Sequence, residues 1–185
     1  MKRTTPFIAA AALLLTPLAA QAQVTVIVTG TVDEQCALGA PDLVVLDLGD
    51  LTGPDGRLTP TLLSSATAVQ TDISSAWCNT PSTLTVEAEP LNQGASAPGY
   101  ATPVGFSRLL TYDAILEGWP TAVSHRPLTG SAPSSTDAGE ARSNPLTLSI
   151  ASLQTLNADG TAEVADLVIE AGSYSGSIEI SVSVQ

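Results

Sequence analysis

The chain has 185 residues, of which 18 are acidic and six are lysine or arginine, so its formal net charge is −12. This charge repels phosphate backbones and anionic lipid, which argues against nucleic acid or an anionic membrane as a partner. The length and the 44% of hydrophobic residues are those of one domain that can bury a proper core.

Residues 1–22 are predicted to be a secretory signal peptide. Lys2 and Arg3 form a short positive region, residues 7–15 are apolar, and Ala20-Gln21-Ala22 is a small-x-small cleavage site. The apolar stretch is too short for a comfortable membrane span. We therefore expect one exported domain over residues 23–185. Removing Lys2 and Arg3 takes its net charge from −12 to −14 and leaves it without lysine.

The two cysteines, Cys36 and Cys78, are predicted to form one structural disulfide. An even pair in an exported chain is most simply a bridge. A loop of this length would contribute on the order of 4 kcal/mol to stability. A zinc site is a poor alternative, because one histidine and two distant cysteines do not supply its ligands.

Periodicity predicts an all-β chain. Apolar residues alternate with polar ones at 24–32, 84–88, 146–150 and 178–184, and β-forming or apolar runs occupy 43–48, 106–116 and 164–169. Glycine and proline predict turns at 53–56, 98–99, 118–120 and 159–160, and small residues predict a long loop over 129–145. Short helices are predicted at 59–69 and 150–156. Together these elements favour an all-β sandwich that contains one disulfide.

No pattern in the sequence predicts a catalytic centre, a cofactor or a metal site. His125 is the only histidine, no G-x-S-x-G motif accompanies it, and it is expected in a loop or on the surface. Glu87 and Glu89 share one face of a strand, which has the form of a glycosidase pair but is better interpreted as a solvated face.

Three further features have residue types that can bind a metal or a ligand. Asp47, Asp50 and Asp55 invite a calcium interpretation but lack the spacing of a calcium loop. Trp77, beside Cys78, is expected to fill the core, since a disulfide often packs against an aromatic ring. Trp119, between Gly118 and Pro120, is expected to pin a loop rather than stack on a sugar.

Several landmarks, taken in order, resemble the spore coat protein U-like domains, which are pilin subunits of the archaic chaperone–usher type. A valine-rich segment, residues 23–35, ends at Cys36, and Leu46-Asp47-Leu48-Gly49 follows. The second cysteine opens a strand in Trp77-Cys78-Asn79, and residues 110–113 give a tyrosine-containing strand. Ala171-Gly172-Ser173-Tyr174 then precedes the alternating final strand. The chain departs from the family in ending Val184-Gln185 and over residues 117–145.

The resemblance implies an immunoglobulin-like sandwich that lacks its last strand, so that an apolar groove lies open. A donor strand from another subunit would fill it, with Val24, Val26, Val28, Gly30 and Val32 as its inward row. The final strand would form a groove wall and the surface gripped by a periplasmic chaperone, through Ile178, Ile180, Val182 and Val184. The implied partners are that chaperone, an outer-membrane usher and neighbouring pilins, and the implied place is the cell surface or a fibre.

Two rival interpretations stay open at this point. In the first, residues 23–32 are the first strand of the protein's own sandwich, and the chain is a monomeric secreted module whose loops, near Trp119, bind a carbohydrate or a surface. In the second, the chain is a secreted hydrolase that uses Glu87 and Glu89 or His125. Oligomeric size separates the pilin from the binding module.

Overall fold

The computed structural model describes residues 29–94 and 101–185. Residues 33–185 form one compact unit, and residues 1–32 form a separate one of which only residues 29–32 are described. Those four residues adopt no regular secondary structure and are exposed. Val24, Val26 and Val28 lie outside the described residues, so the strand predicted there stays a prediction.

The described ranges contain short strands and a single helical turn. In chain order they are β1 (Cys36–Leu38), α1 (Pro60–Leu63), β2 (Val69–Ile73), β3 (Ala76–Cys78), β4 (Ser82–Ala88), β5 (Leu91–Gln93), β6 (Phe106–Ser107), β7 (Leu109–Glu117), β8 (Val123–His125), β9 (Ser134–Ala138), β10 (Arg142–Ser143), β11 (Leu146–Thr155), β12 (Val168–Ile169), β13 (Tyr174–Ser175) and β14 (Ile178–Val184). The helix predicted at 59–69 is therefore only the turn α1.

These strands form several sheets packed together, which confirms the predicted all-β sandwich. The six-stranded sheet has the order β13–β5–β7–β11–β2, and β8 also pairs with β7. A second sheet, here called the β4 sheet, has the order β14–β4–β9, and β1–β3–β10 form a third. The remaining pair, β6 with β12, is parallel.

The core follows the alternation seen in the sequence. On β4, Leu84, Val86 and Ala88 are buried, because successive side chains of a strand point to opposite faces. The inward row of β7 and the first half of β11 behave in the same way; its buried members are Leu110, Tyr112, Ala114, Leu116, Leu146, Leu148 and Ile150.

The helix predicted at 150–156 is wrong, because β11 runs through that stretch. The register between β11 and β7 shifts between Ala151 and Gln154, and Ser152 has a φ of 53°. This bulge places both Ile150 and Ala151 in buried positions, so the apolar spacing imitates a helix. Arg126 fixes the bulge by donating to the Ser152 carbonyl at 3.1 Å while it also pairs with Asp113.

Two other predictions also failed. The predicted loop over 129–145 contains β9 and β10, whose small polar residues pair at the border of a sheet and need no apolar alternation there. The predicted strand over 164–169 is mostly a turn, in which Asp166 has a φ of 64°, and only Val168–Ile169 is extended.

The disulfide between Cys36 and Cys78 is formed, as predicted. The two residues lie directly opposite each other in the β1–β3 ladder. Among the described residues, no helix has the length and apolar character needed to cross a membrane.

Candidate functional site

A groove with a volume of about 1000 Å³ lies within residues 33–185. Its floor is the inner face of the six-stranded sheet, so the groove opens directly onto the apolar core. The floor residues of this sheet come from β2, β5, β7 and β11 and include Ile73, Leu91, Tyr112, Leu148 and Ile150, and Ile169 of β12 also lines the groove. These floor side chains are almost fully buried, and the exposed apolar surface of the groove lies along its border, at Val44 and Val45.

One wall of the groove is the beginning of β14 with the turn before it. Ile178 and Ile180 line the groove, and the register pairs Ile178 with Ala88 of β4. In the described part of the chain, β14 pairs with β4 alone, so its other edge presents main-chain N–H and C=O groups without a strand partner. The wall therefore offers both apolar side chains and an unpaired edge.

The opposite wall is residues 43–51. Leu46, Leu48 and Leu51 of this wall pack against the core. Its start is tied to β2 by main-chain donors, from Asp42 to the Asp72 carbonyl at 2.7 Å and from Leu43 to Thr71 Oγ1 at 2.8 Å.

Beyond that tie, residues 44–48 make no main-chain hydrogen bond to any described strand. Val44 and Val45 are 86% and 77% exposed although both border the groove. The second wall is therefore held by side-chain packing, and its main chain is available for pairing.

Two tyrosines make the floor and the end of the groove rigid. The Tyr112 hydroxyl donates to the Glu89 carbonyl at 3.0 Å, and the Tyr174 hydroxyl donates to the Glu170 carbonyl at 2.9 Å. Burial, and then the charge of Glu170, raise the pKa of Tyr174 to about 12. Burial raises the pKa of Tyr112 as well. Both rings thus act as fixed packing surfaces rather than as acids or bases near neutral pH.

Gly176 lets the chain turn closely from β13 into β14. A Cβ atom at this position would lie 2.9 Å from the Glu89 carbonyl oxygen and 3.1 Å from that of Pro90. The glycine thus permits the close approach that sets the position of the first wall.

An apolar floor thus lies between the unpaired edge of β14 and residues 44–48, whose main chain has no described strand partner. This arrangement suits an extended peptide, whose main chain can pair with the walls while alternate side chains enter the groove. The described lining of the groove contains no histidine, and its carboxylates are those of Asp47, Asp50 and Glu170.

The sequence-predicted wall residues fall into two pairs. Ile178 and Ile180 line the groove. Val182 packs against the core without lining it, and Val184, 37% exposed, pairs with Ser82 at the far end of the ladder. The donor-strand residues within the described part, Gly30 and Val32, are exposed. Sequence reasoning missed the second wall, although the apolar run 43–48 was its signal.

His125 is buried, so its predicted loop or surface position is wrong. It lies on β8, with Nδ1 3.2 Å from the Val86 carbonyl oxygen and Nε2 3.1 Å from Ser131 Oγ. These two contacts join β4 to the loop after β8. No described carboxylate bonds to the ring, and the arrangement is that of a core polar residue with both ring nitrogens satisfied.

Replacing His125 with alanine should therefore destabilise the fold, by about 1–3 kcal/mol, because the Val86 carbonyl and the Ser131 hydroxyl would lose a buried partner. Urea unfolding of the two proteins measures this difference. Ser124→Ala is the matched control, because Ser124 is the exposed neighbour on the same strand and should change the midpoint little. An unchanged midpoint for His125→Ala would show that the buried contacts carry no net stability.

Of the two tryptophans, Trp77 departs from its expected position. Trp77, predicted as core filler, is 36% exposed on the outer face of β3, because the alternation that buries Cys78 turns its neighbour outward. Trp119 is buried, and its indole N–H donates to the Asn144 carbonyl at 3.2 Å, which agrees with the predicted loop-pinning role.

The acidic candidates do not converge on a site. Glu87 and Glu179 face each other across the β4–β14 ladder on an exposed surface, and Glu89 accepts from Ser177 Oγ at 2.8 Å. Asp47, Asp50 and Asp55 each accept a hydrogen bond from a main-chain N–H two residues ahead. Over residues 29–94 and 101–185, no group of three or more metal-ligating side chains converges.

Comparisons with known proteins add no relative. No family model matches this chain, and no curated protein matches it. The resemblance to pilin subunits therefore stays a prediction that depends on the residues quoted above. The groove is the structural feature that bears on function.

Proposed function

We propose that this protein is a structural subunit of an extracellular fibre, in which an extended segment of one subunit fills the groove of the next. The fibre would serve adhesion or biofilm formation. The observation that carries this proposal is the groove itself, whose apolar floor lies between two main-chain edges without strand partners.

The energetics of the groove favour an inserted strand. Exposed apolar side chains along the groove, such as Val44 and Val45, would contribute about 25 cal/mol for each Å² of apolar surface that an inserted strand removes from water. An extended peptide adds main-chain hydrogen bonds to both β14 and residues 44–48, whereas a globular partner could pair with neither edge inside the groove. The groove is thus complementary to a β-strand.

The proposed occupant is residues 23–32 of a second copy, here called the arm. Valines stand at alternate positions 24, 26, 28 and 32, with Gly30 in the same row. No side chain of the arm is charged, although the whole chain has a net charge of −12, so these side chains enter an apolar groove without desolvating an ion. At about 3.4 Å per residue the arm extends roughly 34 Å, enough to run along all of β14.

Export and assembly partners belong to the same proposal. A formed disulfide is compatible with an oxidising compartment, which the predicted signal peptide over residues 1–22 would reach. There a periplasmic chaperone would cover the unpaired edge of β14 until an outer-membrane usher exchanges it for the next arm. Covering that edge would prevent unspecific pairing between copies.

The experiment compares the chain beginning at Gln23 with a variant that lacks residues 23–32. Size-exclusion chromatography with light scattering should show a concentration-dependent series of oligomers for the first and a monomer for the second. A synthetic peptide of residues 23–35 should bind the variant one to one and raise its Tm. The same peptide with Val26→Asp and Val28→Asp is the matched control and should not bind.

A different result would favour the monomeric binding module. In that case the chain from Gln23 would be a stable monomer at all concentrations, and deletion of residues 23–32 would unfold it. Such a pair of results would contradict the fibre proposal, because it would place the arm in the sandwich of its own chain.

A further inference from the structure

The arm joins the fold at the disulfide. Residues 33–35 connect it to β1, and Gln35 is tied to Asn79 by two hydrogen bonds, of 3.0 Å and 2.7 Å. The next residue, Cys36, is bonded to Cys78. In a fibre assembled through arms, as proposed above, any tension on the arm enters each subunit here.

Without the bridge, β1 would resist such tension poorly. Within the described residues it pairs only with β3, over three positions, and the antiparallel register places Cys36 opposite Cys78. The arm leaves β1 at the same end at which β3 continues towards β4. Pulling these two ends apart opens the ladder one pair at a time, and the first strand pair to open is Cys36 with Cys78.

Peeling of β1 would also remove part of the groove. The chain runs from β1 through Gly39 and Pro41 into the wall formed by residues 43–51, which has no main-chain pairing over 44–48. A pull that opened β1 would next load the hydrogen bonds that Gly39, Asp42 and Leu43 donate to residues 71–75. Once these bonds broke, Leu46 and Leu48 would be pulled from the core. The groove would then lose one of the two walls that hold the next arm.

On the other side of the bridge the connections are strong. Cys78 lies shortly before β4, the central strand of its sheet, which pairs with β14 over seven positions and with β9 over five. A load that crosses the disulfide is therefore carried to β4 and β14, the first wall of the groove. It does not pass through residues 43–51, the second wall.

We infer that the Cys36–Cys78 bridge is a mechanical clamp, which passes tension from the arm directly to β4 and so keeps the 43–51 wall in place under load. The inference depends on the proposed function for its purpose, because only a fibre loads the arm. The clamp itself is a property of one subunit and can be measured on a monomer.

Single-molecule pulling tests the clamp. One handle is a tag placed before Gln23, and the other is the single lysine introduced by Glu87→Lys on β4, since the chain from Gln23 has no lysine of its own. With the bridge intact, no extension should precede the detachment of β4. After reduction of the folded molecules, residues 36–51 should come away first, in a low-force step of up to about 55 Å.

If reduction unfolds the protein, the comparison with the reduced state gives no information about the clamp. A second pair of handles therefore tests the clamp on the oxidised protein. With the bridge intact, pulling between Val44→Lys and Glu87→Lys applies the load beyond the clamp, and the wall should come away at low force. The inference is overturned if the intact chain pulled by its arm shows this early step, or if the load at residue 44 does not produce it. Because peptide binding is measured separately, failure of the clamp and failure of the fibre proposal are distinguishable.

Discussion

Replacing Ile180 with aspartate should leave a folded chain that no longer binds the peptide of residues 23–35. Ile180 lines the groove and is only half-buried while the groove is open, so a carboxylate there can reach water. An inserted strand would remove that water, at a cost of several kcal/mol. We expect binding to weaken by at least about a hundredfold, which corresponds to roughly 3 kcal/mol.

Ser181→Asp is the matched control, because Ser181 is the next residue of β14 and points to the exposed face. Calorimetric titration of the chain lacking residues 23–32 gives both affinities, and thermal melting shows whether each variant is folded. Equal affinities for the two variants would contradict a strand bound between β14 and the 43–51 wall. A loss with Ser181→Asp alone would place the binding surface on the outer face of the β4 sheet.

Removing the disulfide through Cys36→Ser and Cys78→Ser should lower the free energy of unfolding by about 2–5 kcal/mol. The bridge spans a sequence separation of 42 residues, so it restricts the unfolded chain strongly. It also holds the short strand β1. Since domains of this size have unfolding free energies of about 5–15 kcal/mol, the loss is a large fraction of the total.

Urea unfolding with and without a reducing agent measures the effect. The serine variant and the reduced wild type should share one midpoint, because both lack the same restriction. A variant as stable as the oxidised protein would show that β1 and the Gln35–Asn79 contacts hold this end of the sheet by themselves. The mechanical inference would then lose its support as well.

The fold was predictable wherever one face of a strand meets the core and the other meets water. β4 and β14 satisfy this condition, and their alternation identified them. The strand predicted over 146–150 is the first half of β11, but the prediction failed in its second half, where a bulge at Ser152 interrupts the period. It also failed at β9, which is a strand because it pairs with β4 and not because apolar residues alternate in it. These features depend on contacts between distant segments, which periodicity does not report.

The candidate site was predictable only in part, for a related reason. Ile178 and Ile180 were identified because they lie on a regular strand. The second wall has no regular strand pairing. In the sequence, residues 43–48 therefore appeared only as an apolar run, with no sign of the surface against which they pack. The burial of His125 depends on Val86 and Ser131, which approach it only through the tertiary fold. Sequence alone therefore located one wall of the groove and neither its floor nor its opposite wall.

The position of β14 at the end of the chain has a consequence for the order of folding. β4 lies at the centre of its sheet, yet one partner strand begins at Ser134 and the other at Ile178. A chain that emerges from its N-terminus leaves one edge of β4 unpaired until β9 arrives and the other until its last described strand, β14, arrives. Pairing over such long separations is slow, because each closure costs loop entropy before any contact compensates for it. The apolar side chains of β4, Leu84 and Val86 among them, thus stay uncovered while the chain is incomplete. The time needed to complete the β4 sheet therefore sets how long these side chains can take part in aggregation.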